Sequence, residues 1–301
     1  ALLPAGEDMV ALDFAAARLQ TQGTTLIGAA PRVRDVICAM TLSEGATWQL
    51  NGDLELGHVN RGDLSVSDAV IRGAPNVRIG AKGRAIGSLL CERSDLELNA
   101  VAVGAESSSK GTLDIEGGST VLADSMVIAG AAKSVGTVRM QGGDTAATSP
   151  ALTITGALDV GGVTKGGRGT LTLGPGLSAS TALNSGATVQ VASLSVGKAK
   201  RKGLPSQVVV QGPENVGGPP STLVVAGAID VARGGPGEIK VNSGGFVSAV
   251  DASVHSGGFI ELEGSEGAQA TTPPSLLNLT GALTIDGSGA LLVLDGAAAS
   301  V

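Results

Sequence analysis

A short alternating phrase that recurs down the chain, 47 glycines among 301 residues and only four aromatic side chains together predict an all-β solenoid. The form expected is a right-handed parallel β-helix of about nine coils, each with three short strands and with a short helix capping the N-terminal end. Apolar residues make up 43% of the chain and charged residues 16%, which excludes disorder. The 12 prolines are scattered and glycine keeps no three-residue period, which excludes a collagen triple helix. With aromatics so scarce, the core must be built from Val, Leu, Ile and Ala.

Residues 1–45 are expected to form the cap, a helix over 7–20 followed by the first strands, and residues 46–301 the repeats. From Glu7 to Gln20 the spacing of Met9, Leu12, Ala16 and Leu19, joined by Val10 and Phe14, is helical, and Gly23 follows as a stop. The first repeat phrase is two alternating apolar residues and a glycine turn. It appears as Leu54-Glu55-Leu56-Gly57, Val77-Arg78-Ile79-Gly80, Val101-Ala102-Val103-Gly104, Leu158-Asp159-Val160-Gly161 and Leu194-Ser195-Val196-Gly197, with looser copies ending at Ile128, Val231, Val254 and Ile285. A second phrase follows a short loop and opens with glycine, as in Gly111-Thr112-Leu113-Asp114-Ile115, Gly136-Thr137-Val138-Arg139-Met140 and Gly237-Glu238-Ile239-Lys240-Val241. A third precedes the first, as in Thr47-Trp48-Gln49-Leu50 and Leu277-Asn278-Leu279-Thr280-Gly281.

Strands of this length, alternating with period two, bury one face only. A single unit encloses no core, whereas units stacked in register bury a continuous apolar column. The early copies end at Leu56, Ile79, Val103 and Ile128, spacings of 23, 24 and 25 residues. Later units lengthen only in Gly/Pro/Ser-rich turns such as 212–221 and 264–275. Toward the C-terminus, Leu291-Leu292-Val293-Leu294 runs almost to the last residue without a capping segment, an end open to a further segment or a second subunit.

With these phrases in view, the chain resembles the repeat family of bacterial autotransporter passengers (type V secretion) and of exosortase-sorted PEP-CTERM proteins. The resemblance is best over residues 98–197, in Gly111-Thr112-Leu113-Asp114-Ile115-Glu116-Gly117-Gly118-Ser119-Thr120-Val121 and Gly169-Thr170-Leu171-Thr172-Leu173, and weaker over roughly 46–295. It implies an exported β-helical protein, extracellular or on the cell surface. A membrane β-barrel and a PEP-CTERM tail, parts of complete members, do not occur in this sequence.

Few groups here carry chemistry. His58 and His255 lie far apart, and no cysteine cluster accompanies them, so no zinc site or other cofactor is expected. Gly161-Gly162, Gly166-Gly167 and Gly234-Gly235 lack the Asp of a calcium-binding β-roll. Asp159 with Asp230, and Asp114 with Glu261, occupy equivalent outward positions, but a carboxylate pair for glycoside cleavage needs adjacency that different units deny. The expectation is a non-enzymatic protein. Cys38 and Cys91 read as buried free thiols. Arg61-Gly62-Asp63, at a predicted turn, matches an adhesive tripeptide, and Asn278-Leu279-Thr280 matches a glycosylation sequon within a strand.

Charge position is more informative. Loops after the first phrase carry Arg61, Lys82, Arg84, Lys110, Lys133, Lys165, Arg168, Lys198, Lys200, Arg201, Lys202 and Arg233. Turns after the second phrase carry Asp68, Glu116, Asp144, Glu214, Glu263, Glu266 and Asp295. Stacking in register converts these into a basic ridge and an acidic ridge. The function expected is an extracellular structural protein that assembles with itself into a filament, sheath or surface layer, end to end and ridge to ridge. An adhesin-like passenger that binds a host or matrix ligand is the alternative, and a carbohydrate-active enzyme ranks below it; besides a second copy of the chain, an anionic surface polysaccharide docked on the basic ridge is the other partner considered. The net charge of −7 argues against nucleic acid as a partner, and no apolar run is long enough to span a membrane.

Overall fold

The computed structural model describes residues 8–29, 36–142, 148–161, 167–175, 186–198, 205–212, 219–264 and 274–301. The Gly/Pro/Ser-rich turns at 213–218 and 265–273 lie outside them. The strands form a parallel β-helix: each coil runs along a long face, turns a corner, runs along a second face, bends, and follows a third face back to the start. Eleven strands stack on the long face, beginning Asp8–Ala15, Val36–Ser43, Arg61–Ser67, Ile86–Glu92, Lys110–Glu116, Val135–Gly142 and Arg168–Pro175 and ending at Ala290–Leu294. They number coils 1 to 11 here. The second and third faces belong to one further sheet, because strands such as Val70–Ile79 and Asp95–Val103 continue through the bend between them. Pairing is parallel throughout, for example Lys110 with Val135 and Leu56 with Ile79. At about 4.8 Å per coil the column is about 48 Å long.

The core is a set of vertical ladders. On the long face Leu42, Val66, Cys91, Ile115, Met140 and Leu173 stack one on another in successive coils, and none is more than 1% exposed. On the third face Leu56, Ile79, Val103, Ile128, Val160 and Val196 do the same. Every rung is a thin layer that accepts one aliphatic side chain per strand, which explains the four aromatics. Cys91 is one such rung: burial pushes its thiol well above the ordinary range, so it packs as a small hydrophobe. Cys38 is half-buried, and both thiols are free.

The corner glycines have a packing reason. A Cβ on Gly111 would sit 2.3 Å from both the Ile79 carbonyl oxygen and the Gly104 nitrogen, and Gly87 and Gly136 meet the same backbone one coil away on either side. Buried serines close other corners. Ser94 Oγ accepts from the Ala69 amide at 3.1 Å and donates to the Glu92 carbonyl at 2.8 Å, while the Ser94 amide donates to Ser119 Oγ at 3.2 Å. Each hydroxyl supplies a backbone group that the turning chain leaves without a ladder partner.

Two expectations are corrected. The helix expected over 7–20 is not present among the described residues of that segment: Asp8–Ala15 and Arg18–Thr21 are strands, and Thr25–Ile27 completes coil 1. Val10, Leu12 and Phe14 also alternate with period two, and they pair above Cys38, Met40 and Leu42. The open edge of Val36–Ser43 pairs with the alternate amides and carbonyls that an added parallel strand turns toward it, and stacks its apolar side chains on the core, a gain that outweighs the weak helical spacing. The coils number eleven on the long face rather than about nine, because coils 1 and 2 lie mostly in the segment expected to be the cap. The outermost described coils expose apolar side chains, Val10 and Leu12 at one end and Leu292, Val293 and Leu294 at the other.

Candidate polyanion-binding corner

The corner between the third face of one coil and the long face of the next holds the bases anticipated from the loops. Arg61, Lys110 and Arg168 open long-face strands, and Lys82, Arg84 and Lys133 stand in the loops leading to coils 4 and 6. Lys198 and Arg233 lie further along the same corner. Lys165, Lys200, Arg201 and Lys202 fall outside the described residues.

The partners of these bases divide the ridge in two. Lys198 Nζ lies 3.3 Å from Asp159 Oδ1, and Arg233 Nη1 lies 3.7 Å from Asp230 Oδ2. Asp230 also meets His255 Nε2 at 3.0 Å, and His255 Nδ1 meets Asp286 at 3.2 Å. In the same way His58 binds Glu55, Lys82 Nζ approaches His58 Nε2 at 3.0 Å, and Arg78 Nη1 lies 3.3 Å from the other Glu55 oxygen. Third-face acids thus neutralise Arg78 toward one end of the column and Lys198 and Arg233 toward the other, while Lys82 meets only a histidine. Between them Arg84, Lys110, Lys133 and Arg168 have no acidic partner among the described residues. Arg61 keeps its outer guanidinium nitrogens free: its Nε alone donates to Asp63 Oδ2, at 2.8 Å. Bases without an acidic partner among the described residues therefore stand in each of coils 4 to 7, with Lys82 beside Arg84 in coil 4.

The acidic ridge is less continuous than the sequence implied. Arg93 binds Asp68 at 2.8 Å and also pairs with Glu92, and its guanidinium holds the Asp68 carboxyl below the usual range. Glu116 stands in register with Glu92 on one side and Gln141 on the other, and burial, then Asp114 and Glu92, push its carboxyl up. Gln211 and Asn242 take the acid position in coils 8 and 9, Glu263 restores it in coil 10, and Leu294 holds it in coil 11, with Asp295 one residue further on. Asp144, Glu214 and Glu266 fall outside the described residues.

The carboxylates weighed for catalysis do not converge. Asp159, Ser195 and Asp230 occupy successive rungs, so the two acids stand about 9.6 Å apart, each with its own cation. Glu261 accepts from Lys240 at 2.9 Å, five coils from Asp114. Among the described residues no group of three or more His, Cys, Asp or Glu side chains is placed to hold a metal ion. No helix among them is long and apolar enough to cross a membrane.

Arg61-Gly62-Asp63 is not at a turn. It lies inside the strand Arg61–Ser67, with Gly62 packed so that a Cβ would stand 2.2 Å from the Ile27 carbonyl oxygen, and its two charged side chains bind each other. The expected turn is thus corrected to a strand, and a strand lacks the projecting loop that an adhesive tripeptide needs.

Asp114 yields a pH test. Its Oδ1 is buried without a hydrogen bond and faces Arg139 only at 3.9 Å, and burial raises its carboxyl above the ordinary value, with Arg139 opposing. The folded chain therefore binds this proton more tightly than the unfolded chain. The resulting stability is present below the unfolded pKa of about 3.9 and is lost as pH rises through the higher folded value. Asp114→Asn is expected to raise the Tm at pH 7 by about 2 °C, with the gain over the parent chain vanishing near pH 3. Thermal unfolding at both pH values is the measurement, and a gain independent of pH would remove burial of the charge as its cause.

Fold and corner together define a parallel β-helix that carries an unneutralised basic stripe on one edge. No family model matches the chain, and no curated protein matches it. Among solved structures, the crystal structure of a TibC-catalyzed hyper-glycosylated TibA fragment is similar, at 15% identity over 95% of this chain and all of that one, with a TM-score of 0.24. With a TM-score of that size, the fold assignment rests on the chain's own strand register.

Proposed function

We propose that the protein is an extracellular, cell-surface β-helical scaffold that binds a linear anionic polysaccharide along its basic corner, a binding role rather than an enzymatic one. The observation that carries this reading is the run of unpaired bases Arg84, Lys110, Lys133 and Arg168. On a chain whose net charge is −7, a stripe of one sign concentrates a local positive potential that the whole molecule does not have. A rigid column with about 4.8 Å between charges suits a long, regularly charged polymer better than a compact ligand. Ridge-to-ridge assembly into filaments is less well supported, since among the described residues Gln141, Gln211 and Asn242 stand where Glu92, Glu116 and Glu263 stand in other coils.

The test is binding of the purified chain to an immobilised anionic polysaccharide as ionic strength is varied. Affinity is expected to fall steeply with salt. Replacing Arg84, Lys110, Lys133 and Arg168 together by Gln is expected to weaken binding by about tenfold or more, and these exposed or half-exposed sites leave the fold intact. Binding that ignores both salt and these four substitutions would overturn the reading.

A further inference from the structure

The turn into coil 3 is two residues shorter than the three that follow it. Leu56, Ile79, Val103 and Ile128 share one row of the third face, and Gly62, Gly87, Gly111 and Gly136 share one row of the long face. Five residues, 57–61, join Leu56 to Gly62, whereas seven join Ile79 to Gly87, Val103 to Gly111 and Ile128 to Gly136. Over the short turn lies a hollow of about 230 Å³, with Arg84 in its wall and therefore at one end of the basic stripe. Its lining has two characters. Ile37, Val59 and Ile86 supply an aliphatic wall, and Val59 is 46% and Ile86 43% exposed in a protein whose branched aliphatics are mostly buried. Arg61 and Arg84 supply guanidinium groups, the first steadied by Asp63 and the second without an acidic partner among the described residues. The backbone of these walls is fixed. The Val59 and Asn60 amides both donate to the Gly28 carbonyl, at 2.8 and 2.9 Å, and the Ala85 amide donates to the Lys82 carbonyl at 2.9 Å.

We infer that this hollow seats an acetylated acidic sugar of the bound polymer, an inference that rests on the polyanion reading above. A polymer laid along Lys110, Lys133 and Arg168 reaches the hollow with a further ring. The carboxylate of that ring meets Arg84, whose planar guanidinium offers it two parallel N–H donors. An acetyl ester on the same ring sets its methyl group against Ile37, Val59 and Ile86, and water leaves both apolar surfaces. A free hydroxyl in that place loses water and gains no partner from three aliphatic side chains. The acetylated and the bare sugar carry the same charge, so the stripe alone does not distinguish them; the hollow does. Because its backbone is fixed before binding, little ordering entropy offsets the gain.

The experiment compares two probes at one ionic strength: O-acetylated polymannuronate, and the same polymer after mild alkaline removal of its acetyl groups, which leaves length and charge unchanged. The parent chain is expected to bind the acetylated polymer about fourfold tighter, the effect of burying one methyl group. In the double variant Val59→Ser with Ile86→Ser, shown to be folded by circular dichroism, affinity for the deacetylated polymer is expected to stay at the parent value and the fourfold preference to vanish. Equal binding of the two polymers by the parent chain, or a preference that survives in the double variant, would overturn the acetyl site while leaving the polyanion reading in place. Binding of neither polymer would overturn both.

Discussion

Gly111→Ala is expected to cost about 3 kcal/mol and to lower the Tm by roughly 6–12 °C. The cause is crowding, because a Cβ at this position would stand 2.3 Å from the Ile79 carbonyl oxygen and 2.3 Å from the Gly104 nitrogen. Both are backbone atoms, and they are bonded to each other across two coils: the Gly104 amide donates to the Ile79 carbonyl at 2.7 Å. Ile79 is paired to Val103 and Leu56, so its carbonyl retreats only if the third face parts from its neighbours. Nor does the strain dissipate along the column, since Gly87 meets the Leu56 oxygen at 2.4 Å and Gly136 meets the Val103 oxygen at 2.3 Å in the adjoining coils. Gly23→Ala is the control: that position has nothing within 4 Å of the added carbon, and its expected effect is within about 0.5 kcal/mol of zero. Thermal denaturation of the two variants decides the matter, and equal stability would show that the corner column tolerates side chains.

The same crowding explains why the fold was legible in the sequence. A strand that buries one face writes its period into the residues, as in Leu54-Glu55-Leu56, and a corner that excludes a Cβ writes glycine beside it, as in Gly111 and Gly136. Where neither constraint acts alone, the signal divides. Met9, Leu12, Ala16 and Leu19 carry a helical spacing, while Val10, Leu12 and Phe14 carry the strand period that parallel pairing to Val36–Ser43 selects. Local propensity knows nothing of that neighbouring edge. The buried serines were missed for a related reason: Ser94 and Ser119 look like loop residues, and their only mark is a spacing of 25, one coil.

The bases of the corner were legible for the same reason as the strands, since a loop at a fixed place in the repeat stacks into a ridge. Their partners were not. Lys198 is neutralised by Asp159, 39 residues earlier in the chain, and Asp68 by Arg93, 25 residues later. Adjacency across coils joins residues that sequence distance separates, so only the register tells a free charge from a paired one. That distinction shortens the ridge to coils 4 to 7.

A core deletion at Ile115 should act on the column as a whole. Ile115 is fully buried between Cys91 and Met140, and truncation to alanine is expected to cost about 2–5 kcal/mol through lost burial and a residual cavity. The cost falls toward the upper end because the rungs on either side cannot close in: their backbones are held at the coil spacing by the ladder of Lys110–Glu116 with Ile86–Glu92 and Val135–Gly142. In a solenoid each coil is stabilised by its two neighbours alone, so weakening coil 5 uncouples the coils before it from those after it. Ile115→Ala is therefore expected to split calorimetric unfolding into two transitions, with hydrogen exchange fastest in coils 4 to 6. Leu292→Ala, at a side chain 37% exposed in coil 11, is expected to leave a single transition with a small shift. If Ile115→Ala also unfolds in one transition, shifted by less than about 1 kcal/mol, the coils cooperate over a longer range than nearest-neighbour coupling permits.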